Sequence, residues 1–334
     1  MAGKRIVVLG GGIGGMVAAN QLRRRLSNEH QVTVVERSSR HYFAPSFVWL
    51  ALGWRKQESI SRPLSRLLAR GVQLIQGEVS RIDTGQKKVY VGDQEIPYDY
   101  LVMALGAELN PQAIPGLSEG AYSFYQVSEA QRLQEALASF DGGRLALVVS
   151  RLPYKCPAAP YEGALLTDYL FRKRGIRERV QMEVFTAEPA PLPVAGPAVG
   201  EMVQELLQGR EIGYHPRHRL TSVDPTKKEL TFENGVTSQY DMLVAIPPHR
   251  CPQAVASSGL TNESGWVPVD RGTLATSAEG VYALGDMTVI PLASGMALPK
   301  AGVFAHGQAQ VVARNIAADI QGGGHHHTFD GGGT

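Results

Sequence analysis

The first forty residues alternate between runs of apolar residues and a segment whose apolar positions recur at helical spacing. Residues 4–10 ("KRIVVLG") and 31–37 ("QVTVVER") contain the apolar runs that are typical of buried parallel strands. Residues 16–26 ("MVAANQLRRRL") lie between them and have the period of an amphipathic helix. This order predicts a βαβ unit, in which a helix covers two parallel strands.

A longer pattern occurs twice. Residues 80–106 ("SRIDTGQKKVYVGDQEIPYDYLVMALG") parallel residues 221–248 ("TSVDPTKKELTFENGVTSQYDMLVAIPP"). Each copy has an acid, a lysine pair, two short strands around a turn, and then "YDYLV" or "YDMLV". The repeat predicts two domains of one type, each with a small antiparallel β excursion that returns to a parallel sheet. We therefore expect an α/β protein with two Rossmann-like dinucleotide-binding domains.

Two further apolar segments follow the second copy. Residues 280–287 ("GVYALGDM") predict a strand that ends in Gly-Asp, and residues 298–320 predict a helix. Gln308 interrupts the apolar face of this helix, which is otherwise formed by Val303, Val311, Val312 and Ile316. No separate domain remains for these segments, so we expect them to complete the first one. The predicted boundaries are 1–110 and 246–321 for the first domain, 111–245 for the second, and 322–334 for a flexible C-terminal tail.

Composition narrows the class of protein. The 334 residues are 43% hydrophobic, and 33 basic against 31 acidic residues give a net charge of +2, as in a soluble globular protein of about two domains. No basic block is interleaved with aromatics, so we expect no nucleic-acid partner. The sequence has neither a signal-peptide pattern nor an apolar run of about 18 residues. We expect a cytoplasmic protein and leave open peripheral association with the inner face of the cell membrane, as well as the oligomeric state.

The turn after the first strand carries a phosphate-binding pattern. Gly10, Gly12 and Gly15 have the GxGxxG spacing, and Glu36 ends the second strand 21 residues after the last of these glycines. Gly12 lets the backbone approach a pyrophosphate at the helix N-terminus, and the carboxylate can accept hydrogen bonds from a ribose. These residues predict a dinucleotide site.

The equivalent turn of the second domain lacks this pattern. The strand at residues 144–150 ("RLALVVS") is followed by "RLPYKCPAAPYEGALLTDYL", whose prolines at 153, 157 and 160 carry no backbone N–H. We predict a helix that begins near Tyr161 and no nicotinamide dinucleotide at this turn. The turn instead carries a thiol, Cys156. Lys155 and the helix N-terminus favour its thiolate, and Glu162 can transfer protons. The alternative is that Cys156 is a small buried hydrophobe.

These motifs resemble, over nearly the whole chain, the flavoproteins of the pyridine nucleotide-disulfide oxidoreductase superfamily. The resemblance implies the glutathione-reductase-type FAD/NAD(P)-binding fold and FAD as the cofactor. The implied cofactor-binding residues are Gly10, Gly12, Ile13, Gly14, Gly15, Glu36, Arg37, Pro45, Val79, Ala104, Gly106, Gly285, Asp286 and Lys300.

Within the superfamily, "KCPAAPYE" resembles the corresponding loop of sulfide:quinone oxidoreductases and of the flavin subunit of flavocytochrome c sulfide dehydrogenase. Residues 41–53 ("HYFAPSFVWLALG") and 298–302 ("LPKAG") resemble segments of the same enzymes that lie near the flavin. The resemblance implies that sulfide attacks a cysteine disulfide or persulfide, and that the resulting thiolate reduces FAD, which then reduces a quinone. It also implies catalytic roles for Cys156, Glu162 and Lys300.

The chain departs from that pattern in one respect. These enzymes use a second redox cysteine, and the only other thiol here, Cys251, matches no family position. We leave open whether Cys251 or a cysteine beyond Thr334 is the partner of Cys156, and whether the chain is a shortened form. His325, His326 and His327 are interpreted as a flexible linker and not as a metal site. Two other functions stay open: a type II NADH:quinone oxidoreductase, and a flavin-bearing electron-transfer subunit that docks on a cytochrome.

Overall fold

A computed structural model describes residues 3–323 and 327–332. The strands are β1 (Arg5–Leu9), β2 (Gln31–Glu36), β3 (Arg40–Tyr42), β4 (Ser61–Pro63), β5 (Val72–Gln76), β6 (Val79–Asp83), β7 (Lys88–Val91), β8 (Gln94–Pro97), β9 (Tyr100–Met103), β10 (Glu108–Leu109), β11 (Gly143–Val149), β12 (Val180–Thr186), β13 (Ile212–His215), β14 (Leu220–Asp224), β15 (Glu229–Phe232), β16 (Thr237–Gln239), β17 (Met242–Ile246), β18 (His249–Arg250), β19 (Val267–Pro268), β20 (Val281–Ala283) and β21 (Thr288–Val289). The helices are α1 (Ile13–Arg25), α2 (Phe47–Ala51), α3 (Leu117–Gly120), α4 (Val127–Ser139), α5 (Ala159–Lys173), α6 (Pro197–Gln208), α7 (Gln253–Ala256) and α8 (Gly302–Gln321).

The chain divides into two compact units. Unit 1 comprises Met1–His41, Arg62–Glu108 and Arg250–Thr334. Its parallel sheet has the strand order β20-β9-β1-β2-β5, and α1 packs against α8. The predicted βαβ unit is present, since β1 pairs with β2 in parallel and α1 connects them. The apolar residues of both strands are buried in the core.

Unit 2 comprises Tyr42–Ser61 and Leu109–His249. Its parallel sheet has the order β13-β12-β11-β17, so the strand predicted at residues 144–150 lies in the interior of the sheet. The helix predicted from Tyr161 begins two residues earlier, as α5.

Both copies of the sequence repeat fold as predicted. In unit 1, β6, β7 and β8 form an antiparallel sheet, and β9 returns to the parallel sheet beside β1. In unit 2, β14, β15 and β16 do the same, and β17 returns beside β11. The α/β fold class with two Rossmann-like units and antiparallel excursions is therefore confirmed.

The structure differs from the predicted boundaries at residues 42–61, which belong to unit 2 and not to the first domain. Val48, Leu50 and Leu52 are buried in the same apolar cluster as Leu147 and other core residues of unit 2. Burial of these side chains explains why the segment leaves unit 1.

The last helix also differs from its predicted apolar face. Val303 is 42% exposed, whereas Gln308 is only 1% exposed, so the two positions have the opposite burial from that expected. Val311, Val312 and Ile316 are buried as predicted.

Part of the predicted flexible tail is packed. Phe329 is 6% exposed and its backbone N–H donates to the carbonyl oxygen of Gly272 at 2.8 Å. The Asn315 side chain exchanges two hydrogen bonds with the backbone of His327. His325 and His326 lie outside the described residues. Within 3–323 and 327–332, no helix has the length and apolar character needed to cross a bilayer.

Candidate active site

The glycine turn of unit 1 is shaped by two close backbone approaches. Gly10 has a φ of +98°, and a Cβ added there would lie 2.4 Å from the carbonyl oxygen of Ala104. A Cβ on Gly15 would lie 1.9 Å from the carbonyl oxygen of Gly10, so only glycine lets α1 pack so closely on β1. Gly12 caps the N-terminus of α1, and a Cβ there meets no atom within 4 Å. The space in front of Gly12 and the helix N-terminus fits a pyrophosphate.

Glu36 lies at the end of β2, next to this turn. Its Oε2 accepts a hydrogen bond from the Gly11 N–H at 2.6 Å, and its Oε1 accepts one from the Ser38 N–H at 2.8 Å. These bonds orient the carboxylate at the end of β2, where it can also accept from ribose hydroxyls. Ile13 and Gly14 form the first residues of α1.

The other predicted cofactor residues of unit 1 lie on strand ends and turns. Arg37 is exposed and pairs with Glu78 at 3.3 Å, and Val79 opens β6. Ala104 and Gly106 follow β9; Gly106 has a φ of +72°, and a Cβ added there would meet no atom within 4 Å. These positions surround the carboxyl ends of the parallel strands, where doubly wound folds bind their ligands.

Gln308 is a residue of this region that sequence reasoning missed. Its buried side-chain Oε1 accepts a hydrogen bond at 2.7 Å from the backbone N–H of Gly285, which has a φ of +75°. The amide of α8 thus holds the Gly-Asp turn that contains Asp286. A polar residue on an otherwise apolar helix face was the available signal.

Lys300 is 7% exposed. Its Nζ donates to the carbonyl oxygens of Asp286 at 2.6 Å and Thr288 at 3.0 Å, and it lies 3.5 Å from the centre of the Trp266 ring. Burial lowers the pKa of Lys300 to about 8. Burial also raises the pKa of the neighbouring Cys251 thiol to about 11, although the positive charge of Lys300 opposes this shift. Cys251 is therefore a protonated thiol at neutral pH and a poor nucleophile.

Cys156 has very different surroundings in unit 2. It is exposed and has a φ of +56° in the turn between β11 and α5. The hydroxyl of Tyr125 donates to the carbonyl oxygens of Lys155 at 2.9 Å and Cys156 at 3.3 Å, and the hydroxyl of Tyr154 donates to that of Pro157 at 3.1 Å. The alternative that Cys156 is a buried packing residue is wrong. Two tyrosines instead fix the backbone of a turn that presents its thiol.

Glu162 lies in the first turn of α5 and is half-buried. Its Oε1 accepts a hydrogen bond from the indole Nε1–H of Trp49 in α2 at 3.1 Å. Pro45, predicted near the flavin, is exposed in the short helical turn just before α2.

The second strand of unit 2 ends near a buried acid, Glu188, which is 3% exposed. Its Oε2 accepts hydrogen bonds from the hydroxyls of Tyr161 at 2.5 Å and Thr186 at 3.2 Å. Burial raises the pKa of Glu188, which favours its neutral form. In a dinucleotide-binding unit an acid near this strand end accepts hydrogen bonds from the ribose hydroxyls. In this protein the hydroxyls of Tyr161 and Thr186 donate to Glu188 instead.

Metal-ligating side chains are scattered in the described part of the chain. Among these residues, no group of three or more His, Cys, Asp or Glu side chains is arranged to hold a metal ion.

Two Rossmann-like units, a glycine turn with an open pyrophosphate position, and an exposed cysteine in the second unit define a class of two-domain flavoprotein oxidoreductases. The chain belongs to the pyridine nucleotide-disulphide oxidoreductase family, whose model matches residues 4–309. Members of this family bind FAD, and the chain is an FAD-dependent oxidoreductase. Individual contacts of its residues with FAD stay predictions.

The chain is similar to sulfide:quinone oxidoreductases. The mitochondrial enzyme of Mus musculus is 32% identical over 299 residues, which cover 86% of this chain and 66% of the mouse protein. A sulfide-quinone reductase of Aquifex aeolicus is 31% identical, with 95% of this chain and 77% of that protein covered. The X-ray structure of the Aquifex aeolicus sulfide:quinone oxidoreductase has a TM-score of 0.85 at 28% identity, covering 96% of this chain and 78% of that one.

A second class of relative is more distant. The type II NADH:quinone oxidoreductase of Staphylococcus aureus is 24% identical over 96% of this chain and 83% of its own length. The two classes share the fold, so the electron donor must be decided from the residues of the site.

Proposed function

We propose that the protein oxidises sulfide and passes the electrons to a quinone. The observation that carries this proposal is the exposed, tyrosine-braced Cys156 at the turn where a second dinucleotide loop would bind its phosphates. The similarity to sulfide:quinone oxidoreductases supports the choice of sulfide as donor and of a quinone as acceptor.

Unit 1 has residues that fit the ADP half of FAD. Gly12 leaves open space at the N-terminus of α1, and Glu36 is held at the end of β2 by the N–H groups of Gly11 and Ser38. When bound, FAD supplies a two-electron acceptor that a quinone can reoxidise.

The thiolate of Cys156 bonds to the sulfur of a hydrosulfide ion and forms a persulfide. This step removes two electrons and one proton from the two sulfur groups. The two electrons end on the quinone, which becomes a quinol by taking up two protons, one equivalent to the proton released from sulfur and one from solvent. A thiolate is required because the neutral thiol is a weak nucleophile.

Glu162 takes up the proton that the sulfur loses. Its position in the first turn of α5, six residues after Cys156, supports this role. A correctly placed carboxylate contributes roughly 10²- to 10⁴-fold to such a proton transfer.

Two observations argue against a nicotinamide dinucleotide as donor. Prolines 153, 157 and 160 remove backbone N–H donors from the turn. Glu188, near the end of β12, already accepts hydrogen bonds from Tyr161 and Thr186 and is buried. The turn of unit 2 therefore has fewer N–H donors for a phosphate than the turn of unit 1, and the acid near the end of β12 is already hydrogen-bonded to protein.

Anaerobic addition of sulfide and, separately, of NADH to the purified flavoprotein tests this proposal. We expect stoichiometric sulfide to bleach the visible absorbance of the oxidised flavin within seconds, and NADH to leave it largely unchanged. Rapid bleaching by NADH with no response to sulfide would favour a type II NADH dehydrogenase. No response to either donor would favour an electron-transfer subunit that docks on a cytochrome.

A further inference from the structure

We infer that Trp49 is a positioning residue that orients the carboxylate of Glu162 for proton transfer. This inference rests on the function proposed above, in which Glu162 takes up the proton of sulfide. Trp49 carries no sequence motif for such a role, and its contact with Glu162 joins positions 113 residues apart.

The contact is directional. The indole Nε1–H is a donor only, so at 3.1 Å from Oε1 it donates to the carboxylate of Glu162. A hydrogen bond to an ionised acceptor is about twice as strong as one between neutral groups. Because Oε1 is engaged by Trp49, Oε2 is the oxygen that takes up the proton.

The donor itself is held in place. The Trp54 ring meets the Trp49 ring edge-on with centroids 5.6 Å apart, and the Arg55 guanidinium lies 5.0 Å from the centre of the Trp49 ring. Arg55 is in turn fixed by a 2.5 Å hydrogen bond from its Nη1 to the Ser46 hydroxyl. Aromatic and cation–π contacts of this kind limit the rotation of the indole.

This arrangement assigns a role to residues 42–61, which contain Trp49. Residues before and after this segment belong to unit 1, but the segment itself is part of unit 2 and presents α2 to α5. The segment thereby places the indole N–H of Trp49 beside Glu162, in the first turn of α5.

A double-mutant cycle separates positioning from general structural support. We expect Trp49→Phe to slow flavin reduction at saturating sulfide by roughly tenfold with little change in the half-saturating concentration, because one charge-assisted hydrogen bond is lost. In a Glu162→Gln background the same substitution should have almost no effect, since Gln cannot accept the proton. Tyr169→Phe, which removes an exposed hydroxyl from the same helix and leaves the Trp49 bond in place, should stay within about twofold of the parent protein. Equal slowing by Trp49→Phe in both backgrounds would overturn the inference.

A spectroscopic measurement tests the contact without relying on activity. The chain has three tryptophans, so the ¹⁵N-tryptophan-labelled flavoprotein should give three indole N–H resonances. Glu162→Gln should shift the resonance that Trp49→Phe removes, and the Trp266 resonance should stay in place. An unmoved Trp49 resonance would overturn the inference even if sulfide reduces the flavin. If sulfide fails to reduce the parent flavin, the proposed function and the proton-transfer role both fail, and a shifted resonance would then show only a structural hydrogen bond.

Discussion

Two glycines in the same turn, three residues apart, have opposite surroundings. A Cβ on Gly12 would meet no protein atom within 4 Å, whereas a Cβ on Gly15 would lie 1.9 Å from the backbone oxygen of Gly10. The first glycine therefore keeps space free for a ligand, and the second lets the helix pack on the strand. The GxGxxG spacing alone does not separate these two functions.

Substitution at the two positions should separate them experimentally. We expect Gly12→Val to fold with nearly the parent stability but to lose at least about tenfold in FAD affinity, because the side chain fills the pyrophosphate position. Gly15→Val should destabilise the fold by roughly 1–3 kcal/mol or more through overpacking. Thermal melts of the FAD-free proteins and the flavin content after gel filtration give the two readouts. Full FAD retention in Gly12→Val would contradict the assignment of the turn.

At the residue scale, the sequence predicts what is encoded locally. Gly12 and Glu36 could be identified because strand, turn, helix and acid follow one another along the chain. Trp49 could not, because it acts through one hydrogen bond to a residue 113 positions away. Gln308 stood out as a polar residue on an apolar helix face, but its partner Gly285, 23 positions away, could not be identified. Neither periodicity nor spacing indicates which two distant residues form such a hydrogen bond.

At the scale of elements, two segments fold differently from expectation for the same reason. The sequence predicts residues 42–61 in the first domain, and residues 327–332 in a flexible tail. Each nevertheless buries apolar side chains, Val48, Leu50 and Leu52 in unit 2 and Phe329 in unit 1. Burial against distant core residues, which a local pattern does not contain, decides where such segments lie.

The segment around Phe329 gives a direct test at this scale. We expect Phe329→Ala to lower the free energy of unfolding by about 3 kcal/mol, the usual cost of removing a buried phenyl ring. Thr328→Ala is the matched control, since Thr328 is exposed and should change stability by less than about 0.5 kcal/mol. Urea unfolding followed by circular dichroism measures both. Equal stability of the two variants would mean that this segment is the flexible tail that the sequence predicted.

At the scale of the whole molecule, one fold occurs twice with different chemistry at the equivalent turn. In unit 1 the first βα turn has glycines and leads to Glu36, whose carboxylate accepts hydrogen bonds from the backbone N–H groups of Gly11 and Ser38. In unit 2 the same turn has prolines and an exposed thiol, and Glu188 accepts hydrogen bonds from protein hydroxyls. The sequence repeat predicts the duplication, and the loss of glycines predicts the change of chemistry. Only the structure shows that Glu188 is buried and accepts hydrogen bonds from protein hydroxyls.

Stopped-flow reduction of the flavin by sulfide tests most directly whether electrons from sulfide enter through Cys156. The matched control is Cys251→Ala, because burial raises the pKa of the Cys251 thiol to about 11 and keeps it protonated at neutral pH. We expect the parent protein and Cys251→Ala to be reduced at similar rates. Cys156→Ser should be at least about 100-fold slower, since a serine hydroxyl is not ionised at neutral pH and cannot hold a persulfide. Reduction of Cys156→Ser at the parent rate would contradict the account.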